Sequence, residues 1–267
     1  MNISGKTKIL VLLAHPVAHV RAPRFFNSKC VEKNIDAVLV PWDVTSENLV
    51  QVWMSLRSVE NLAGVVVTIP HKEAVADLCD ELVGDAAVMG VCNVARREPD
   101  GRFVAGMYDG AGFVEGMRRQ GISPEGKRAL LVGSGGAATA IAHALAASKV
   151  ECLTISNRTT AKAELLVKQL RLRFPEVDIA VGPPEPVNHN LIVNGTSLGM
   201  HPEDPLPVDI DMVTKDMTVA EVIMHPDETE LLKAARVRGA QVHKGVHMVT
   251  AQVDLLVDHV FANNEGA

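Results

Sequence analysis

Aromatic side chains are scarce in this chain: 3% of its 267 residues, with one tyrosine, two tryptophans and six phenylalanines. Single-stranded nucleic acids are held on stacked rings, so that function is disfavoured. Positive charge is short as well. Lys and Arg number 26 against 32 Asp and Glu, and the net charge of −6 opposes a phosphate backbone or an anionic membrane surface. The four cysteines (Cys30, Cys79, Cys92 and Cys152) are scattered and show no C-x-x-C spacing. They read as reduced, small apolar side chains of a cytoplasmic protein. Apolar runs such as Ile9 to Ala14 fall well below the ~20 residues that a bilayer crossing needs. No charged-then-apolar leader opens the sequence, so secretion is not expected. His15 and His19 are four apart, as are His243 and His247, but both pairs sit at strand ends without an evident third ligand. No metal site is expected.

Apolar residues make up 47% of the chain, enough for a sizeable core. Strand-like and helix-like segments alternate nearly end to end. Strands are expected at Lys8 to Ala14, Ala37 to Pro41 and Gly64 to Ile69, the last rich in β-branched residues. His71 to Leu82 carries apolar residues at helical spacing. Val91 to Arg97 and Arg102 to Gly106 flank Pro99-Asp100-Gly101, a hairpin signal that makes the first sheet mixed. Asp109 to Gln120 reads as a connecting helix with Asp109 as its N-cap. Further on come helices at Ala161 to Arg173 and Asp227 to Arg238, and strands at Ile179 to Val181, Leu191 to Val193, Met217 to Ile223 and Gln241 to His243. Val246 to Phe261 is a final helix that can pack on either domain. Such alternation gives an α/β architecture with parallel sheets covered by helices.

The most informative stretch runs from Arg128 to Arg158. An apolar strand ends in Gly133-Ser134-Gly135-Gly136-Ala137-Ala138, a small-residue helix follows, and a second strand, Cys152 to Ile155, leads to Ser156-Asn157-Arg158. This is the layout of a dinucleotide-binding unit. Gly133 permits the tight turn, Gly135 admits a pyrophosphate, and Ala138 lets the helix approach the sheet. The helix N-terminus then offers N–H groups and a positive dipole end. An NAD site usually has a carboxylate after the second strand. Here Arg158, Thr159 and Lys162 stand there, with none before Glu164. Cations and a hydroxyl suit a 2′-phosphate, so NADP is the expected cofactor.

Several motifs outside this unit converge. Val67 to Lys72 (VTIPHK) sets a lysine in the first turn of a helix directly after a strand. The helix dipole disfavours a cation there, although a surface lysine would read the same way. Cys92-Asn93, Asp109-Gly110, Asn194 to Met200 (NGTSLGM) and Gly245 to Met248 before Gln252 follow in order. Together with the opening AHPVAH and the glycine turn, they resemble the shikimate dehydrogenase family over nearly the whole chain. The resemblance implies an N-terminal substrate domain with a mixed sheet (1–108 plus 246–267) and a Rossmann-like NADP-binding domain (109–245). The C-terminal helix would return to the first domain, and the substrate would lie in the cleft between the two. It implies reversible hydride transfer between a ring hydroxyl carbon and NADP, as a step of aromatic amino acid biosynthesis. The cofactor takes only the hydride, so an acid–base group must handle the proton.

The resemblance makes Lys72 and Asp109 the catalytic pair and lets Thr68, Asn93 and Gln252 bind substrate. Gly133, Ser134, Gly135, Gly136, Ala137, Asn157, Arg158, Thr159, Lys162, Thr196, Ser197, Leu198 and Gly199 match cofactor positions, and Gly245 lies by the nicotinamide. The expected partner is a small cyclic hydroxy acid or related ring alcohol, without nucleic acid or membrane, and a homodimer is compatible. The chain also departs from the family. Val20 and Ala22 replace two serines that bind the substrate carboxylate, Val66 replaces an Asn, Met107-Tyr108 replace Asn-Thr, and Met224 replaces a Tyr. Arg21 and His247 are candidates for a new anion contact, with Arg21 equally readable as a surface charge. A quinate- or aminoshikimate-type dehydrogenase and a non-catalytic NADP sensor are the alternative readings.

Overall fold

The computed structural model describes residues 2–18 and 20–261, so His19 of the opening motif lies outside the described residues. The chain divides into two compact units, Met1–Tyr108 with Gln252–Ala267, and Asp109–Ala251. The first contains β1 (Lys8–Ala14), α1 (Ala22–Glu32), β2 (Ala37–Asp43), α2 (Leu49–Leu56), β3 (Leu62–Val67) and α3 (Lys72–Leu78). It continues through β4 (Glu81–Leu82), α4 (Asp85–Met89), β5 (Val94–Arg97) and β6 (Phe103–Gly106). Its six-stranded sheet runs β2-β1-β3-β5-β6-β4. β1, β2 and β3 are parallel, while β5 runs antiparallel to both β3 and β6. β1 has buried residues from Leu10 to Ala14 because it is covered on both faces, which is why it reads as a continuous apolar run.

Several details of this unit differ from the sequence pattern. The helix beginning near His71 stops at Leu78 instead of Leu82. The chain then becomes strand β4, seated when Asp80 N–H donates to the Phe103 carbonyl at 3.0 Å and Asp80 Oδ2 accepts Phe103 N–H at 2.8 Å. β3 ends at Val67, because His71 N–H turns back to the Thr68 carbonyl at 2.9 Å. Helices α1 and α2 are not announced by the alternation. α2 owes its place to Leu49, Trp53 and Leu56, buried on one face.

The second unit contains α5 (Asp109–Arg119), β7 (Arg128–Val132), α6 (Gly136–Ala147), β8 (Cys152–Ser156), α7 (Thr160–Arg173) and β9 (Asp178–Val181). It ends with β10 (Leu191–Asn194), β11 (Thr218–Glu221), α8 (Glu230–Val237) and β12 (Gln241–His243), and α9 (Gly245–Phe261) runs on into the first unit's C-terminal segment. The sheet order is β12-β11-β10-β7-β8-β9, all parallel. This is the doubly wound order, in which the chain reverses direction beside the first strand and leaves a crevice at the strands' carboxyl ends. Alternate residues of β7 serve opposite faces: Ala129 and Leu131 pack with α6 and α7, Leu130 and Val132 with α8. α5 lies hard against α6, so a Cβ on Gly110 would drive into the Ala140 carbonyl. α8 starts at Glu230 behind Thr229, later than the Asp227 expected, because the Thr229 hydroxyl caps it by accepting the Leu232 N–H at 3.4 Å. Asp109 is the first helical residue of α5 and not its N-cap.

Candidate active site and dinucleotide turn

The chemistry-bearing residues of the first unit gather where β1, β2 and β3 end. Thr68 N–H donates to the Leu13 carbonyl at 3.1 Å, and His15 N–H to the Ile69 carbonyl at 3.2 Å. The opening motif is thereby stitched to the loop that carries Thr68. β5 runs the other way, so its starting end meets the same edge. Val67 N–H donates to the Asn93 carbonyl at 2.8 Å, and Cys92 N–H to the Lys72 carbonyl at 3.1 Å. Thr68, Lys72 and Asn93 are thus neighbours although they are spread along the sequence. His71 is buried, and its Nε2 lies 2.6 Å from the Val44 carbonyl, which anchors the start of α3 beneath Lys72. His15 Nδ1 contacts Asp43 Oδ1 at 2.8 Å, and this contact holds the Asp43 carboxyl below its ordinary range. Gln252, buried, opens the C-terminal segment of this unit, whereas Asp109, also buried, opens the second unit.

In the second unit the glycine turn follows β7. Gly133 has φ +116, and its N–H donates to the Ser156 carbonyl at 2.7 Å. A side chain there would be strained and would press on Gly195 and Thr196. Ala138 is fully buried, and a Cβ on Gly195 would come within 2.8 Å of its own Cβ, so both residues must be small for α6 to reach the sheet. A Cβ on Gly135 would meet nothing within 4 Å, which leaves open space before the turn. Ser134 Oγ is buried without a hydrogen-bond partner. A buried hydroxyl left unmatched beside a helix N-terminus is suited to a phosphate oxygen. Past β8, Asn157 Nδ2 donates to the Thr159 carbonyl at 2.9 Å, shaping a turn on which Arg158 and Lys162 are exposed. Open space, an orphaned hydroxyl and exposed cations together fit a phosphorylated dinucleotide.

The loop after β10 holds itself together. The Thr196 hydroxyl donates to Asn194 Oδ1 at 2.7 Å and accepts the Leu198 N–H at 3.0 Å, while Asn194 Nδ2 donates to the Leu198 carbonyl at 2.9 Å. Asp204 Oδ2 accepts the N–H groups of Gly199 and His201, and these contacts lower the Asp204 carboxyl. Thr196 therefore shapes its loop first, and Ser197, Leu198 and Gly199 ride on that frame. Gly245 is so close to Val222 and Ile223 that a Cβ would drive into their backbone.

The burial of two titratable groups escapes a reading of the sequence. Glu221 is fully buried at the end of β11. One carboxyl oxygen accepts the Thr229 hydroxyl at 2.7 Å, the other has no partner, and burial pushes the group up to about 7. His243, at the end of β12, has neither ring nitrogen hydrogen-bonded and packs on Phe113 and His247. Burial first, then the nearby His247, pulls it down to about 4. Among the described residues, no three or more His, Cys, Asp or Glu side chains are grouped to hold a metal ion. No disulfide joins the cysteines, and no described helix is long and apolar enough to cross a membrane.

Matches to known proteins extend over nearly the whole chain. Residues 12–95 match the shikimate dehydrogenase substrate binding domain, and residues 117–180 match shikimate / quinate 5-dehydrogenase. A shikimate dehydrogenase (NADP(+)) of Carboxydothermus hydrogenoformans is 33% identical over 262 residues, covering 94% of this chain and 91% of that protein. The crystal structure of a shikimate dehydrogenase in complex with NADP+ superposes with TM-score 0.89 at 31% identity, over 98% of this chain and 92% of the other. A ligand-free 5-ketofructose reductase of Gluconobacter sp. strain CHM43 superposes with TM-score 0.85 at 26% identity, over 97% and 95%. With a third of its residues shared over nearly the full length of such a relative, this chain belongs to the shikimate dehydrogenase family.

Proposed function

We propose that the chain is an NADP-dependent oxidoreductase that acts on a ring hydroxyl of a shikimate-like compound, at the position a shikimate 3-dehydrogenase uses. The observation that carries this reading is the edge where backbone hydrogen bonds gather Thr68, Lys72 and Asn93. NADP, when bound, supplies the two-electron exchange. The chain's own residues handle the rest. Lys72 and Asp109 move the hydroxyl proton, and Thr68, Asn93 and Gln252 hold the ring. Gly133 to Ala137, with Ser134 Oγ, receive the pyrophosphate, and Arg158 and Lys162 take the 2′-phosphate. The domain roles follow: 1–108 with 246–267 for substrate, 109–245 for the dinucleotide. A cytoplasmic location fits four thiols without a disulfide. A homodimer accords with exposed Val50 and Met54 on one face of α2.

A second reading concerns the substrate. Val20 and Ala22 offer no hydroxyl where the family binds a carboxylate, and each donor to a charged group is worth about 1.5–3 kcal/mol. The likeness to a 5-ketofructose reductase favours an uncharged polyol or keto-sugar for this chain. A panel of shikimate, quinate, aminoshikimate, decarboxylated ring alcohols and 5-ketofructose with NADP(H) separates the two readings. Efficient turnover of shikimate sinks the second, and turnover confined to neutral substrates sinks the first. Lys72→Ala should lower kcat about 10²–10⁴-fold. Unchanged turnover would remove Lys72 from the chemistry, and NADP binding without any turnover would favour a sensor.

A further inference from the structure

The only tyrosine of the chain, Tyr108, is the last residue of the first unit and precedes Asp109. Its backbone N–H donates to Asn93 Oδ1 at 3.0 Å. Its hydroxyl lies 3.1 Å from His259 Nδ1, and His259 Nε2 lies 2.9 Å from the Val104 carbonyl. A carbonyl can only accept, so Nε2 carries the proton and Nδ1 is left to accept the Tyr108 O–H. Burial, the largest influence on His259, favours this neutral ring. The two rings meet edge-on at 5.5 Å. Gly106 makes room for them: a Cβ there would come within 2.7 Å of the Tyr108 ring and 3.2 Å of His259. Arg96 adds a further tie from β5 by donating to the His259 carbonyl at 3.1 Å.

We infer that Tyr108 and His259 form a positioning pair that fixes the side-chain amide of Asn93 in the substrate site. Asn93 Oδ1 accepts the Tyr108 N–H, so the orientation of the amide follows the placement of residue 108. The inference rests on the oxidoreductase reading for its kinetic arm and for naming the surroundings of Asn93 the substrate site.

The test compares Tyr108→Phe, His259→Leu and the double variant. Tyr108→Phe keeps the ring and the backbone N–H but removes the bond to His259. Its KM for the most efficient substrate of the panel should rise about fivefold, the worth of one hydrogen bond, with kcat changed less and NADPH affinity by fluorescence titration unchanged. The double variant should be no worse than the worse single, because the pair acts as a unit. Additive losses, or a KM equal to that of the parent, would overturn the inference. A second readout needs no turnover. In Tyr108→Phe, the backbone N–H of residue 108 should exchange with deuterium faster, and a crystal structure should show the Asn93 amide turned. An unmoved amide and unchanged exchange would refute the pair even where no panel compound reacts, an outcome that would separately refute the oxidoreductase reading.

Discussion

Replacing Glu221 by Gln should change how stability depends on pH, and the sign follows from two buried groups at neighbouring strand ends. Glu221 is raised from 4.5 to about 7 and His243 is lowered from 6.5 to about 4. At about 1.4 kcal/mol per pH unit, each displacement corresponds to about 3 kcal/mol of linked stability. The raised carboxyl contributes fully below its unfolded value of 4.5, and that contribution is lost as pH rises through about 7. The lowered imidazole contributes fully above 6.5, and its contribution is lost as pH falls through about 4. Between pH 4.5 and 6.5 the two slopes oppose one another and largely cancel. Glu221→Gln keeps an acceptor for the Thr229 hydroxyl but removes the charge. Its stability should climb with pH across this window by about 3 kcal/mol, and at pH 8 it should exceed that of the parent. His243→Leu should show the opposite slope. Urea unfolding followed by circular dichroism, with deuterium exchange of β11 and β12 to isolate the second unit, measures both. A Glu221→Gln profile that runs parallel to the parent's would refute the linkage.

Further substitutions probe other contacts. Gly245→Ala forces a methyl into the Val222–Ile223 backbone and should cost about 1–3 kcal/mol, visible as a lower Tm. Asn27→Leu removes a side-chain amide that mimics a neighbouring strand: it accepts the Leu39 N–H at 2.8 Å and donates to the Leu39 carbonyl at 3.1 Å on the free edge of β2. Stability should fall by about 1–2 kcal/mol, and the bared edge should associate with rising concentration in light scattering. Arg158→Ala should weaken NADP about ten- to a hundredfold, the worth of a charge-assisted bond, while leaving NAD unchanged. Equal losses for both nucleotides in titration calorimetry would remove Arg158 from the 2′-phosphate site.

Much of the second unit is legible along the chain because its signals are local. The β7–α6–β8 unit needs only an apolar strand, a glycine able to hold φ +116 and small residues that let a helix approach, all within one stretch of sequence. The hairpin of β5 and β6 is equally local, with Gly101 at φ +84 in its turn. The short β4 and helix α1 are not legible in this way. β4 exists because Asp80 meets Phe103, and α1 carries a weak apolar stripe in which Phe26 and Cys30 are the buried residues. The edge that carries Thr68, Lys72 and Asn93 lies between these cases. VTIPHK and Cys92-Asn93 are readable as motifs, yet their adjacency comes from bonds between Val67 and Asn93 and between Lys72 and Cys92.

The sequence by itself determined the two-part α/β plan, the glycine turn, the cations after β8 and the residues that mark the family, because periodicity and turn chemistry act over a few residues. Tertiary structure alone decided which polar groups would be buried and with whom. Glu221 met Thr229, His243 was left without a hydrogen bond, and Tyr108 reached a histidine 151 residues further along. Those pairings depend on which helix lies over which strand, and the cost of burying a polar group is set by that neighbour and not by the residue's own place in the chain.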